Sequence, residues 1–300
     1  MLRPRTPFEK YIRHPSEAAA AAMIWSLFRI LPVDAASGFG GWLARTLGPR
    51  LGISNRARAN IRRAFPDLNG DAVEDIVTDM WDNLGRTVGE FPHIGSFDFN
   101  GPRPRVKISG VENLYRFRDD GAPGFYLSAH IGNWELAPMT AYVHNVPSAF
   151  VYREANNPLV QKLYMAGRQK YRDMMIPKGS EGAKEMLRAL RDGKHIGIMA
   201  DQKMNDGIAV PFFGEEAMTA PAMAQMALKF NCPVLPARVI RERGATFTVE
   251  VAEPIFAEET GDKTKDVNAF MARANDIIEA WVREKPGQWL WLHNRWPGQS

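Results

Sequence analysis

The chain contains very little cysteine and no long apolar run. Its one cysteine among 300 residues, Cys232, excludes a disulfide framework and any metal site built from several thiolates. No internal repeat and no low-complexity linker divides the sequence, so a second independent domain is not expected. Hydrophobic residues make up 45% and charged residues 24%, values typical of a globular protein that buries a substantial core.

Several familiar catalytic signatures are also missing. The Gly-x-Ser-x-Gly elbow of α/β-hydrolases is not present, because Lys178 stands where the segment around Ser180 would need its first glycine. The glycines in residues 38–41 lack the third glycine of a dinucleotide-binding fingerprint. No His-Glu-x-x-His sequence occurs, which argues against a zinc hydrolase. Cys232 stands at the entrance to an apolar strand, which favours a buried structural thiol over a nucleophile.

Basic residues outnumber acidic ones, and the net charge is +4. This excess favours acidic partners, such as an anionic membrane, a phosphorylated substrate, nucleic acid or an acidic carrier protein. One arginine run consists of Arg56, Arg58, Arg62 and Arg63. Within it, Arg58 and Arg62 share a helix face that could hold phosphate or a lipid headgroup, and a solvated surface helix is the alternative. No nucleic-acid-binding motif accompanies the run, so nucleic acid is not expected as a partner.

The amino terminus has a pattern typical of a membrane-associating segment. Four basic residues come first, namely Arg3, Arg5, Lys10 and Arg13. The apolar stretch that follows, residues 18–28, falls short of the roughly 20 residues that cross a bilayer. An interfacial helix or a short tilted anchor within about residues 17–47 is therefore expected, with its basic end on the cytoplasmic side. A helix packed on its own domain and a signal peptide with a poor cleavage site are the alternatives.

Helical periodicity dominates residues 1–100, which are predicted to form a helical extension of an α/β domain over residues 101–300, the two making one continuous unit. The clearest element covers residues 71–90, where apolar residues recur at helical spacing up to Pro92. Its apolar stripe is interpreted as packing surface. Little chemistry is expected from this first third of the chain.

From residue 105 onward, short apolar runs alternate with helical segments. The predicted strands are 105–108, 125–129, 149–153, 195–200, 234–240 and 246–251. The predicted helices are 159–171, 183–190, 222–230 and 267–283. This alternation predicts an α/β fold with a mixed, largely parallel central sheet flanked by helices.

The most informative segment is Phe125–Glu135, in which a buried strand leads into His130. Sites of open α/β sheets commonly lie at the carboxyl ends of strands, and Gly132 permits a tight turn there. Asn133 is a plausible N-cap for a helix that begins near Trp134. Glu135 could then accept a proton from one ring nitrogen of His130 while the other nitrogen acts as a base. The spacing alone also allows a structural histidine.

The wider sequence resembles the late acyltransferases of lipid A biosynthesis, the lauroyl and myristoyl transferases of Gram-negative bacteria in the lysophospholipid-acyltransferase-like superfamily. The resemblance lies in blocks spread over most of the chain, namely residues 26–32, 56–66, 129–135, 200–202, 210–214 and 288–296. Their order and spacing together are specific, although no single block would be.

The resemblance implies transfer of a fatty acyl group from an acyl carrier protein thioester to a hydroxyl of a phosphorylated glucosamine lipid. The family's His-x4-acid motif maps onto His130 as general base and Glu135 as its partner. Direct transfer is implied, with no covalent acyl-enzyme, no metal and no cofactor besides the acyl donor. The implied location is the cytoplasmic face of the inner membrane, and the implied partners are the carrier protein, the glycolipid and an anionic membrane surface.

Further residues have weaker assignments. The expected substrate-binding residues are Asn133, Arg153, Asp201 and Gln202; Arg153 resembles an arginine the family needs, and the last two end a strand facing the same crevice. Arg168, Arg172 and Lys203 are candidate phosphate or carrier-protein contacts, with solvated surface as the alternative. Trp134, Phe212 and Phe213 are candidates for an acyl-chain groove, with plain core as the alternative. His195 and His293 are interpreted as structural.

Other functions remain open from the sequence. The acceptor could be a different glycolipid, such as a phosphatidylinositol mannoside, and the donor could be acyl-coenzyme A. A non-catalytic lipid-binding protein of the same fold is the rival class, although the presence of both His130 and Glu135 argues against it.

Overall fold

The computed structural model describes residues 6–296, which form helices packed on both faces of a central sheet. The helices are α1 (His14–Ile30), α2 (Val33–Leu47), α3 (Ser54–Ala64), α4 (Gly70–Glu90), α5 (Val111–Asp119), α6 (Leu136–Val143), α7 (Pro158–Gly167), α8 (Ser180–Arg191), α9 (Ala222–Phe230) and α10 (Lys263–Glu284). The strands are β1 (Val106–Ser109), β2 (Gly124–Ser128), β3 (Ser148–Tyr152), β4 (Met175–Pro177), β5 (His195–Met199), β6 (Ile208–Phe212), β7 (Glu215–Thr219), β8 (Val234–Arg243) and β9 (Thr246–Val251).

In the part of the chain that the structure describes, seven strands form the main sheet in the order β1-β9-β8-β2-β5-β3-β4. Neighbouring strands run parallel except for β8 and β9, which pair antiparallel. The predicted mixed, largely parallel sheet is thereby confirmed. This order places β2 directly beside β5, although the two strands are far apart in the chain.

The core lies on both faces of the sheet. Along β2, Phe125 and Leu127 point into one cluster, while Tyr126 points into the other, as the alternation of a strand requires. The first cluster also contains Ile61 of α3 and Val77 of α4. These helices of the first hundred residues therefore share a core with the sheet.

The predicted strands omit three short elements. Strand β4 has three residues and follows a 3₁₀ segment, Gln169–Met174, which takes over where α7 ends at Gly167. The predicted helix over 159–171 is thus too long. Strands β6 and β7 form a separate hairpin whose turn places Phe213 and Gly214 at φ 54° and 76°. Pro211 within β6 obscures the hairpin in the sequence, because proline is uncommon inside strands.

The glycines of α2 have a packing role. Helices α2 and α4 approach so closely that a Cβ atom on Gly40 would lie 2.3 Å from the Gly85 carbonyl oxygen. A Cβ on Gly85 would lie 2.2 Å from the Gly40 oxygen in return. Close helix contact, and not phosphate binding, therefore accounts for these two glycines.

Helices α1 and α2 expose an unusual amount of apolar surface. The exposed large side chains are Met23, Ile24, Leu27 and Ile30 of α1, and Phe39, Trp42, Leu43 and Leu47 of α2. Among residues 6–296, no helix is both long enough and apolar enough to cross a bilayer. Arg3 and Arg5, which belong to the predicted basic start, lie outside the described residues.

Candidate active site

The site forms where β2 and β5 end side by side. His130 follows β2, Asp201 follows β5, and the Ala200 N–H donates to the Ser128 carbonyl oxygen between them. As a result His130 Nδ1 lies 2.9 Å from Asp201 Oδ1. The sequence correctly places Asp201 in the same crevice as His130, but the structure makes it the carboxylate that orients the imidazole.

Asp201 is itself rigidly held. Its side chain is fully buried, and its second oxygen, Oδ2, accepts the His130 backbone N–H at 2.9 Å and Trp289 Nε1–H at 2.8 Å. Trp289 also forms an isolated antiparallel bridge with Ile131, so the carboxyl-terminal region closes around the turn that follows His130. With Oδ2 occupied by two donors, Oδ1 is directed to the ring of His130.

Glu135 does not orient His130, so this prediction from the sequence is wrong. Both oxygens of Glu135 instead accept from Arg168, at 2.6 Å and 3.0 Å, and both side chains are buried. The Arg168 guanidinium also lies over the rings of Phe91, Tyr152 and Tyr164. The reason is that each group has another partner: Asp201, at the end of the neighbouring strand, contacts His130 Nδ1, and Arg168 pairs with Glu135. Arg168 is accordingly a buried partner and not a free phosphate contact.

Asn133 is not an N-cap. Helix α6 begins only at Leu136, because residues 133–136 first form a turn in which the Leu136 N–H donates to the Asn133 carbonyl oxygen. The Asn133 side chain is fully buried and donates to Glu90 Oε2 at 2.8 Å. It faces this carboxylate rather than the cavity, and Glu90 forms a buried ion pair with Arg241.

The buried network of Glu90 and Arg241 also supports the turn at Gly132, which follows His130. Gly132 adopts φ +57°, and a Cβ atom there would lie 2.0 Å from the Val239 carbonyl oxygen. Asn83 of α4 donates to the Gly132 carbonyl oxygen at 2.9 Å and accepts from Arg241 Nε at 2.8 Å. The predicted tight turn at Gly132 is confirmed, and α4 holds it in place.

Asp201 stabilises the protonated form of His130. Burial opposes protonation of His130, but the charge and hydrogen bond of Asp201 outweigh it, and Glu135 adds to them. The pKa of His130 is therefore raised above its ordinary value of 6.5. Burial also raises the pKa of Asp201, yet His130 more than offsets this and holds that pKa well below its usual range.

His130 opens on a cavity of about 820 Å³. Its polar lining residues include Gln202, Arg153 and Lys203, together with the Glu135–Arg168 pair. Its apolar lining includes Trp134, Tyr126, Phe150, Met186 and Met223. Trp134 therefore lines the cavity, as its candidate role in an acyl-chain groove requires. Arg153 is exposed and donates a hydrogen bond to Asn156 Oδ1 at 3.2 Å. Arg172 is not part of this lining.

Phe212 and Phe213 do not line the cavity, so their assignment to an acyl groove is wrong. Both are buried, and Phe212 packs on Trp289 and Trp296 with ring centroids 5.8 Å and 5.6 Å away. The reason is that the β6–β7 hairpin folds against the carboxyl-terminal segment instead of joining the main sheet. These two side chains belong to the aromatic core, which was the alternative.

Most of the α3 arginine run is engaged within the protein. Arg58 forms two hydrogen bonds with the Glu74 carboxylate, at 2.6 Å and 2.7 Å. Arg63 pairs with Glu215, which links α3 to β7. These contacts favour a structural role for the run over a headgroup site.

Cys232 and His195 have structural roles, whereas His293 lies at the site. The Cys232 thiol is buried, which raises its pKa to about 11, as expected for an unreactive thiol. His195 is 1% exposed and stacks on Phe117 with ring centroids 4.0 Å apart, so its structural assignment is confirmed. His293, in contrast, lies beside the base, with its ring centroid 5.4 Å from that of His130. Its place in the aromatic carboxyl-terminal block is the only signal in the sequence that points to this position.

The environment of His195 predicts a pH effect on stability. Burial lowers its pKa to about 4, so the unfolded chain binds a proton near pH 6.5 that the folded chain refuses until about pH 4. The free energy of unfolding therefore decreases as the pH is lowered from about 6.5 to about 4. The free energy of unfolding is measured by denaturant at pH 7 and at pH 4.5 for the wild type and for His195→Leu. Its decrease from pH 7 to pH 4.5 should be about 2 kcal/mol smaller in His195→Leu, which has no imidazole to protonate. Equal falls in both proteins would contradict this account.

Fold and site together define an α/β enzyme in which a histidine, oriented by a buried carboxylate, can activate a hydroxyl beside an apolar cavity. Residues 5–297 match the family model described as bacterial lipid A biosynthesis acyltransferase. Because the match covers nearly the whole chain, the protein belongs to this family, and it is a late acyltransferase of lipid A biosynthesis.

Two lipid A acyltransferases of Escherichia coli agree with this assignment. The chain is 24% identical over 261 residues to the lipid A biosynthesis palmitoleoyltransferase of Escherichia coli, covering 83% of each chain. It is 22% identical over 264 residues to the lauroyltransferase of the same organism, covering 86% of this chain and 82% of that one. A solved structure, the 1-acyl-sn-glycerophosphate acyltransferase PlsC of Thermotoga maritima, aligns with 92% of this chain at 12% identity and a TM-score of 0.39.

Proposed function

We propose that the protein transfers a fatty acyl group from an acyl carrier protein thioester to a hydroxyl of a lipid A precursor, with His130 as general base. The observation that carries the proposal is the pairing of His130 Nδ1 with buried Asp201, which leaves Nε2 beside Gln202 of the cavity lining. Family membership supplies the substrate class. The carrier protein as donor agrees with the net positive charge of the chain.

The chemistry follows in one transfer step. His130 Nε2 takes the proton of the acceptor hydroxyl while the oxygen attacks the thioester carbon. The carbon–sulfur bond of the resulting tetrahedral oxyanion then breaks, and His130 returns the proton to the leaving thiolate. Asp201 stabilises the imidazolium between the two proton transfers. This route needs no serine or cysteine nucleophile, so no acyl-enzyme is formed.

The cavity has a suitable distribution of polarity. Apolar side chains such as Tyr126, Phe150 and Met186 provide room for an acyl chain. Exposed or partly exposed cations, Arg153, Lys178 and Lys203, belong to the same lining and suit the phosphates of the acceptor. The reacting groups can then meet at His130.

The test is a reconstituted transfer assay with purified protein, an acyl carrier protein donor and a lipid A precursor. We expect an acylated lipid from the wild type and from His144→Ala, which removes a histidine outside the cavity lining, and none from His130→Ala. Parallel reactions with acyl-coenzyme A, or with a phosphatidylinositol mannoside acceptor, distinguish the alternative donor and acceptor. Full activity of His130→Ala would overturn the mechanism.

The raised pKa of His130 predicts the pH profile. Only the neutral imidazole can act as a base, so kcat/KM should fall as the pH falls, with its acid midpoint above 6.5. Initial rates between pH 5 and 9, at saturating donor, measure the midpoint. A profile that stays flat down to pH 5.5 would contradict the assignment, provided the protein remains folded at each pH.

We also propose that α1 and α2 lie at an anionic membrane surface on the cytoplasmic side of the inner membrane. Ile30 and Trp42 are 78% and 49% exposed, and Arg29 and Arg50 are exposed on the same two-helix region. Ile30→Glu and Trp42→Glu should each weaken binding to phosphatidylglycerol-containing vesicles about tenfold or more. Phe256→Glu, at an exposed phenylalanine outside this region, serves as the matched control. Equal binding by all variants would contradict the proposal.

A further inference from the structure

The carboxyl-terminal segment fixes His293 between two buried anchors. Asn60 of α3 donates to the carbonyl oxygens of Trp291 and His293, each at 2.7 Å. Arg295 is fully buried and bonds to Thr219 Oγ1 at 2.9 Å and Asn275 Oδ1 at 3.0 Å. The imidazole of His293 is therefore presented at a defined place, although it belongs to a loop.

Gln202 connects His293 to the catalytic base. Its Nε2 lies 3.1 Å from His293 Nε2 and 3.3 Å from His130 Nε2. An amide NH2 group carries two hydrogens and can only donate, so both ring nitrogens must accept. Burial lowers the pKa of His293 to about 4, and this ring is neutral at neutral pH. His130 must then carry its proton on Nδ1, toward Asp201.

We infer that His293 is a positioning residue for the base: its Nε2 holds the Gln202 amide so that the NH2 group, and not the carbonyl oxygen, faces His130 Nε2. Gln202 and Asp201 thus act on opposite nitrogens of one ring and select the same tautomer, the one with a lone pair directed to the cavity. The inference rests on the proposed function of His130.

The bridge also places a donor beside the reacting atoms. An acceptor hydroxyl must displace the Gln202 NH2 group from His130 Nε2, and the displaced N–H stays within reach of an oxygen bound there. Such donors stabilise the negative charge of a tetrahedral intermediate. Without the acceptor nitrogen of His293, the amide can rotate and present its oxygen, which stabilises the tautomer of His130 that has no lone pair on Nε2.

The kinetic test uses His293→Leu, Gln202→Leu and the double variant. Each single change should lower kcat at least about tenfold with little change in KM, since it affects the base and not the affinity for lipid. The double variant should be no slower than Gln202→Leu alone, because His293 acts through Gln202. His293→Gln, whose side-chain oxygen can accept where Nε2 did, should recover most of kcat. His195→Leu, at a buried histidine away from the site, measures the cost of losing any buried imidazole.

A readout without substrate separates this inference from the proposed function. In 15N-histidine-labelled protein at a pH above the acid midpoint of the activity profile, the Nε2 resonance of His130, assigned by its loss in His130→Gln, should be of the pyridine type. It should move toward the N–H type in His293→Leu, where the rotated amide presents its oxygen, and return in His293→Gln. It should stay of the pyridine type in Gln202→Leu, where Asp201 alone holds the proton on Nδ1. Multiplied losses in the double variant, or an unchanged resonance in folded His293→Leu, would overturn the inference. A wild type with this resonance but no transfer activity would overturn the proposed function alone.

Discussion

Asp201→Asn should lower kcat by about 10⁴-fold while leaving the protein folded, since the substitution reverses the tautomer of His130. Two N–H donors, from the His130 backbone and Trp289, converge on Asp201 Oδ2. In the variant they draw in the amide oxygen, so the NH2 group is turned toward Nδ1. That nitrogen must then accept, and the proton moves to Nε2, which ceases to be a base.

Steady-state kinetics and a thermal unfolding curve together test this prediction. Asp206→Asn, an exposed aspartate in the loop after β5, is the matched control and should keep full activity. Removal of the Asp201 charge should also move the acid limb of any residual activity to lower pH, because that charge raises the pKa of His130. Activity of Asp201→Asn within tenfold of the wild type would contradict the role given to this carboxylate.

Glu135→Gln should have its largest effect on stability. The substitution leaves the Arg168 guanidinium buried among aromatic rings without its counter-charge, and breaking such a pair costs about 3–5 kcal/mol. Burial alone would lower the pKa of Arg168, but Glu135 raises it above the ordinary value, so Arg168 stays charged in the folded protein. Denaturant unfolding at neutral pH measures the loss.

The double variant Glu135→Leu with Arg168→Met is the control for this pair. It removes both charges and should recover most of the lost stability. The acid limb of the pH profile should move little in Glu135→Gln, because Asp201 remains on Nδ1 of His130. If Glu135→Gln instead shifts that limb as strongly as Asp201→Asn, Glu135 and not Asp201 orients the base.

The contrast between these two carboxylates shows how far the sequence reaches into the site. Strand periodicity and the turn glycine place His130 at the end of β2, and the same periodicity places Asp201 at the end of β5. The family motif directs attention to Glu135, five residues from His130. Distance along the chain does not reveal that Arg168 competes for Glu135, because this contact depends on how α6 and α7 pack.

The fold shows the same limit. The sequence predicts the strands of the main sheet apart from β4, and most of the helices. Buried strands appear as short apolar runs, and a helix with one buried face repeats apolar residues about every 3.6 positions. The β6–β7 hairpin is not predicted, because Pro211 interrupts the strand pattern of β6. Asn133 is likewise missed as a partner of Glu90, because a polar residue before a helix resembles a cap whether or not it serves as one.

The sequence by itself indicated an α/β fold with a candidate histidine base at a strand end, and its spaced blocks placed the chain among the lipid A acyltransferases. Only the tertiary structure decided which groups surround that base. Asp201 meets His130 because β2 and β5 are neighbours in the sheet, and His293 meets Gln202 because the carboxyl-terminal segment folds back over the same edge. Local periodicity records which residues are buried, whereas the order of strands and the path of a returning segment are set by long-range packing.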